Sequence, residues 1–254
     1  MELGKKRIEV CMSPAMYYRY HNPDAIVVIV DILRATSAIC TAFLNGAERI
    51  IPVESLREAK EYKKRGYLVA AERDGVVSEF ADFGNSPFNF TKEAVEGKEI
   101  VYSTTNGTQA IHLARESYLV VVGSFLNLNS LVQWIVSEDH DVLVFCAGWK
   151  DRFSLEDTIF AGALTQSLID TNQFYTICDS GIAACDLWSL AKDNLVGYIQ
   201  KAAQRERLRR SGQDDVIEYC HSINITDKIP VMMGDSLIEL KYCEKINNFG
   251  QKRI

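Results

Sequence analysis

Several signatures that would place this chain quickly are missing from its 254 residues. There is no GxGxxG and no GxxxxGK[ST], which removes the standard dinucleotide and nucleoside-triphosphate loops. Seven cysteines occur (Cys11, Cys40, Cys146, Cys178, Cys185, Cys220 and Cys243), an odd number with no CxxC pair. That argues against a disulfide framework and a zinc ribbon, and for free thiols in a reducing compartment. No apolar stretch follows Lys5-Lys6-Arg7 as it would in a secretory leader, and no apolar run approaches the roughly 20 residues of a membrane span. A cytoplasmic protein is the expectation. With only 5 Pro and 15 Gly there is no low-complexity segment or Pro/Ser-rich linker. One compact α/β unit over 1–254 follows, with a C-terminal helix and hairpin from about 186 as the candidate second subdomain. The net charge of −6 leaves little surface for nucleic acid or an anionic membrane, so neither is expected as a partner. The assembly stays open, with a homodimer among the options.

What is present is strand, loop and helix, repeated. Ala25 to Leu33 is a near-continuous apolar run rich in Val and Ile, as in a strand buried on both faces. Thr36 or Ser37 can cap a following helix and Asn45-Gly46 can end it. Further strands are expected at 49–53, 67–71, 99–103, 118–122 and 141–146, with helices from Ser55 to about Arg65 and over 108–115, 129–137 and 155–170. The stretch 72–92 reads as a turn-rich loop. This alternation predicts a largely parallel or mixed sheet with helices on both faces, in three layers. Asp186 to Arg210 reads as one long helix whose Arg205, Arg207, Arg209 and Arg210 form a solvated face. Ile229–Met233 and Leu237–Leu240 read as a closing hairpin.

The polar residues gather after the strands. One run delivers Asp31 and Arg34, another Glu72-Arg73-Asp74, another Thr104-Thr105-Asn106-Gly107-Thr108, another Gly123-Ser124, and another Cys146-Ala147-Gly148 with Arg152, Glu156 and Asp157 beyond. In open α/β sheets ligands lie where such loops converge. Each feature has a plainer reading. Ser154-Leu155-Glu156-Asp157 matches a capping box, and Thr104 to Thr108 could be a turn with Gly107 at positive φ, although hydroxyls, an amide and a glycine before a helix also make an anion cradle. Asp31 is harder to dismiss, because a carboxylate entering a core needs a cation or a metal beside it.

Asp31-Ile32-Leu33 lacks the second acid of the DxD pair used by aspartyl-phosphate phosphatases. Cys146 and Arg152 do have the Cys-x5-Arg spacing of the cysteine-dependent phosphatases, in which a thiolate at a helix start attacks phosphorus. Phe153 and Phe145 stand where those enzymes carry Ser or Thr and His. A metal-independent Cys146/Arg152 enzyme and a non-catalytic module binding a phosphorylated or sulfonated metabolite therefore remain as alternatives.

Seven ordered motifs together resemble the 2-phosphosulfolactate phosphatase family: Val30 to Thr36, Glu72 to Gly75, Gly84 to Pro87, Thr104 to Thr108, Gly123 to Asn127, Cys146 to Gly148 and Arg152 to Asp157. The match is dense from about Arg7 to Asp170 and weaker through Pro230. The resemblance implies an α/β fold of its own type, dependence on Mg²⁺, and hydrolysis of 2-phospho-3-sulfolactate to sulfolactate and phosphate, a step of coenzyme M biosynthesis in methanogens. On this reading Asp31, Glu72, Glu156 and Asp157 hold Mg²⁺, with Asp31 and Glu156 also catalytic. Arg34, Arg73 and Arg152 neutralise the oxygens of a small, highly anionic phosphoester. Asn85, Ser86, Thr104, Thr105, Asn106, Gly107, Thr108, Ser124 and Gly148 orient it.

Overall fold

The structure is a computed structural model that describes residues 4–240; Cys243 lies outside them. The strands are β1 (Lys6–Cys11), β2 (Ile26–Val30), β3 (Arg49–Pro52), β4 (Leu68–Arg73), β5 (Val76–Val77), β6 (Glu99–Ser103), β7 (Leu119–Gly123), β8 (Val142–Cys146), β9 (Phe174–Tyr175), β10 (Pro230–Met233) and β11 (Ser236–Glu239). The principal helices are α1 (Ala35–Leu44), α2 (Leu56–Lys64), α3 (Gly107–Ala114), α4 (Leu128–Ser137), α5 (Leu155–Asp170), α6 (Asp179–Ala191) and α7 (Ala203–Arg210). Among the described residues no helix is long and apolar enough to cross a membrane.

The strands form one mixed sheet in the order β5-β4-β6-β3-β11-β10-β7-β2-β8-β1-β9. It contains two parallel blocks, β4-β6-β3 and β7-β2-β8-β1-β9. The β10–β11 hairpin joins them, antiparallel to both β3 and β7. Three antiparallel steps in succession make the two blocks run in opposite senses. A flat sheet would therefore put the ends of β4 and β6 on the rim opposite the ends of β2 and β8. Five neighbour steps separate β6 from β2, and a twist of about 20–25° per step turns the blocks through roughly 100–125°. That rotation lets the loops after β2, β4, β6 and β8 meet.

Side-chain alternation explains the layers. Ile26, Val28 and Val30 pack with α4, α5 and α6 on one face of β2, while Val27 and Ile29 pack with α1 and α3 on the other. The second cluster also takes Ala70 of β4, Ile100 and Tyr102 of β6 and Ile50 of β3, so the coiled sheet encloses α1 from both blocks. Nine successive residues of α1, Ala35 to Phe43, are buried, as expected for a helix apolar on all sides. The outer face of β3, β4 and β6 is covered by α2 through Leu56, Ala59 and Tyr62.

Three expectations need correction. Thr36 and Ser37 do not cap α1 but lie inside it; Thr36 Oγ1 accepts from the Asp31 N–H, and the Ser37 hydroxyl donates to the Ile32 carbonyl. The region 72–92 is not wholly loop, since β4 runs on to Arg73 and β5 pairs back on it. The helix expected over 186–210 is several pieces. The Asn194 side chain accepts from the Gly197 N–H and starts a new turn, and Ala202 is extended (ψ 137°) before α7 begins. Local side-chain bonding has competed with the helix ladder.

His221 lies in the core beside Phe125, with Nδ1 2.7 Å from the Ile217 carbonyl and Nε2 buried without a partner among the described residues. Burial lowers its pKa from 6.5 to about 4. A depressed histidine is neutral in the fold, so its contribution is complete above pH 6.5 and is lost as the pH falls toward 4. Urea unfolding should show about 2–3 kcal/mol of acid destabilisation from this group between pH 7.5 and 4. His221→Phe should flatten that part of the profile; an unchanged slope would show that other groups carry it.

Candidate active site

Four acids and one arginine meet where the loops converge. Asp31, Glu72, Glu156, Asp157 and Arg34 are each between 2% and 7% exposed, far below what isolated charges tolerate. Asp31 leaves β2 and receives the Ala35 N–H at the start of α1 (3.3 Å). Gly107 backs against it; a Cβ there would stand 2.6 Å from the Ala35 Cβ and 3.0 Å from Asp31 Oδ2. Only glycine lets the start of α3 come this close. Burial, and then the neighbouring Glu72 and Glu156, raise the Asp31 pKa from 3.8 to about 7, against the Ala35 hydrogen bond and Arg34. Burial likewise raises Glu156, while the Ser154 hydroxyl and Arg207 pull the other way.

The other two acids are spoken for by backbone. Asp157 Oδ1 accepts from Ile32 N (2.9 Å) and Oδ2 from Gly148 N (3.1 Å), tying the exits of β2 and β8 to α5. Its own N–H is capped by Ser154, so the capping motif and the buried acid are the same element. Glu72 accepts from the N–H groups of Gly75 and Thr105 (both 2.7 Å) and from the Thr105 hydroxyl. Both look structural in geometry. Asp31 receives a single N–H, and Glu156 bonds only within its own helix start.

Arg34 follows a cis Leu33–Arg34 peptide bond. Its Nη2 donates to Asn85 Oδ1 (2.8 Å) and Gln213 Oε1 (2.9 Å), and its Nε is buried with no partner among the described residues. A buried guanidinium N–H without an acceptor is expensive, and an anion would relieve it. The structure treats the remaining arginines differently. Arg73 is half-buried and committed to the carbonyls of Glu72 and Glu54 and to Ser103. Arg152 is exposed, and among the described residues only its backbone is engaged, with Trp149.

Among the remaining candidates, Thr104 and Thr108 close on each other, Thr105 binds Glu72, and Asn106 accepts from Lys150 N. The ion pair of Lys150 with Asp74 (2.7 Å) makes a further stitch between these loops. Gly148 has φ 61°, and a Cβ there would overlap the Arg152 carbonyl. Ser86 is half-buried and starts a short turn at Pro87. Ser124 lies deeper, against Ser37 (3.0 Å) and in a capping box with Asn127. Cys146 points into the core from β8, and burial raises its thiol well above its usual range. Arg152 and a solvent-reachable thiolate are thus not brought together.

Sequence reasoning missed Gln204, Arg207 and Gln213. Glu206 pairs with Arg209 and Arg210 at i+3 and i+4, but neither Arg205 nor Arg207 has such a partner. That spacing was the available signal, and it would have left two candidates. Two surface clefts, one around Lys63, Tyr67 and Lys98 and one around Lys6, Asp139 and His140, lie at the starts of strands, away from the acids.

The donor set can be tested against a divalent cation. Among the described residues no three His, Cys, Asp or Glu side chains are disposed to hold a metal by themselves. Magnesium does not demand that, because it retains waters and binds through one or two carboxylates plus substrate phosphate oxygens. Two buried, mutually repelling carboxylates beside an anion-seeking arginine fit that mode.

The family model of 2-phosphosulpholactate phosphatase matches residues 11–235. A protein of Thermotoga maritima named probable 2-phosphosulfolactate phosphatase is 37% identical over 232 residues, covering 91% of this chain and 97% of that one. Proteins of the same name from Clostridium beijerinckii (34% identical; 88% and 95% covered) and Symbiobacterium thermophilum (31% identical; 85% and 94% covered) extend the likeness.

Proposed function

The chain belongs to the 2-phosphosulpholactate phosphatase family, and on that premise we propose that it hydrolyses 2-phospho-3-sulfolactate with Mg²⁺ held by Asp31 and Glu156. The observation that carries this reading is the buried pair Asp31 and Glu156 beside Arg34, whose Nε has no acceptor among the described residues. When bound there, magnesium supplies Lewis-acid polarisation of the phosphoryl group and a more acidic water. Arg34 takes a phosphoryl oxygen at Nε, while Asn85 and Gln213 fix its fork from the other side. Asp157 and Glu72 hold the loops rather than the metal, keeping Asp31 and Gly107 in register. Because these groups are set in place before substrate arrives and are shielded from water, they can favour charge that develops in the transition state.

Phosphate release from 2-phospho-3-sulfolactate, followed across a Mg²⁺ titration and in excess EDTA, tests the proposal. Turnover should require the metal and return on its addition. Undiminished turnover in EDTA would overturn the metal assignment, and no turnover at any metal concentration the substrate assignment.

The thiol route makes a separate prediction. Cys146→Ala should keep kcat within about threefold of the parent and lose no more than roughly 1–2 kcal/mol of stability, a packing effect. Complete loss of turnover in a variant with normal melting would restore the cysteine nucleophile.

A further inference from the structure

α7 and the turn after it lie across the acids. Gln204 Nε2 donates to the Leu33 carbonyl (3.1 Å) and Gln213 Oε1 accepts from Arg34, so both ends of this segment are fastened to the exit of β2. Between them the Arg207 guanidinium lies 4.4 Å above the Trp149 ring, with Nε donating to Gln204 Oε1 (2.6 Å). The stacking and the Gln204 bond fix the plane of the fork. Among the described residues no hydrogen bond takes up its two terminal nitrogens. Trp149, on which it stacks, follows Gly148, whose N–H is held by Asp157, while the nearby acid of α7, Glu206, is taken up by Arg209 and Arg210. A surface arginine that merely solvates a helix would not be half-buried, stacked on the loop after Gly148 and held at Nε by a glutamine that is itself fastened to Leu33.

Building on the function proposed above, we infer that Arg207 is a specificity-determining residue, its guanidinium fork binding an acid group of the substrate other than the phosphate that is removed. Arg34 is deep, beside Asp31, and serves the phosphoryl group; Arg207 is on a different element and nearer the surface. Two cationic forks flanking one acid pair fit a small phosphoester with a second anionic group, a sulfonate or a carboxylate, better than a simple alkyl phosphate. The planar fork also matters, since a lysine would keep the charge but not the paired donors.

The test is the ratio of kcat/KM for 2-phospho-3-sulfolactate to that for isopropyl phosphate, which has no second acid. It is measured in the parent and in Arg207→Lys and Arg207→Gln. The ratio should fall about 10- to 100-fold in Arg207→Gln, the scale of one lost charge-assisted hydrogen-bond pair, with most of the change in KM and an intermediate value for Arg207→Lys. Equal losses on both substrates would overturn the inference, leaving Arg207 as a positioning residue for Glu156. No loss on either substrate would also overturn it. If the parent hydrolyses neither ester, the function proposed above fails instead. Calorimetric titration with sulfolactate then still decides, because weaker binding by Arg207→Gln supports the inference and equal binding refutes it.

Discussion

Asp31→Asn is expected to lower kcat by about 1,000-fold or more, the scale on which removal of a principal electrostatic group acts. The amide has nearly the shape of the carboxylate but is a poor magnesium ligand and carries no charge. Asp31 also receives the Ala35 N–H, a role that the amide oxygen can keep. Stability should move the other way. The folded pKa is raised from 3.8 to about 7, first by burial and then by the other acids. A raised carboxyl is favoured in its protonated form by the fold, so ionisation opposes folding increasingly from about pH 4 to 7, and fully above that. Without metal, Asp31→Asn should therefore be more stable than the parent at pH 8, by on the order of 2–4 kcal/mol, and nearly equal to it at pH 4. Phosphate release and urea unfolding in EDTA check the two halves. A variant that turns over normally at limiting Mg²⁺ would remove Asp31 from the metal site, whatever its stability.

Gly162→Ala is expected to have the largest effect on the fold. Gly162 lies in the middle of α5, and a Cβ there would overlap the Ala184 carbonyl oxygen of α6. The obstacle is backbone, so no side chain can swing aside, and the two helices must separate. α5 and α6 pack against the face of β2 and β8 that carries Val28 and Val144, with Phe160 of α5 in the same cluster, so separation also loosens that core. Overpacking ordinarily destabilises by about 1–3 kcal/mol; with a backbone obstacle about 3 kcal/mol or more is expected. The readout is the urea midpoint, with turnover falling in parallel because α5 begins with Glu156 and Asp157. A midpoint unchanged from the parent would mean that the helices part freely, and that the close crossing is incidental.

The sequence announced the interior strands and the ends of the regular helices because buried parallel strands are nearly continuous apolar runs. α5 was read at its observed bounds, Leu155 to Asp170, since its capping serine and apolar length agree. β1 is hidden in the sequence: Lys6, Arg7 and Glu9 interrupt its apolar pattern, and the contacts of Lys6 with the Glu138 carbonyl and of the Arg7 N–H with Asp141 come from far along the chain. Asp31 was legible as a charge out of place in an apolar run. Asp157 was legible as an acid at a helix start, yet nothing local says that its two oxygens reach Ile32 and Gly148. Arg152 and Arg207 show the limit most clearly. One sits among the motifs but is exposed, and the other sits in a charged helix but is half-buried on Trp149 and bonded to Gln204. Only the fold of the segment after Ala191, broken at Asn194 and Ala202, decides between them.

The hairpin between the two parallel blocks has a consequence for the order of synthesis. In hydrogen bonding it is what joins them, and it is made from residues 230–239 of 254. Until the ribosome has delivered those residues, β3 and β7 are bare strand edges, each a template for pairing with another chain. Asp31 and Glu156 belong to one block and Glu72, which fastens the Thr105 loop, to the other. The nascent chain can thus complete nearly every piece of its catalytic machinery and still not have the pieces facing one another. Release of a truncated chain ending before Pro230 should give an aggregation-prone product, and the interval before the last strands emerge is when a chaperone would be most needed.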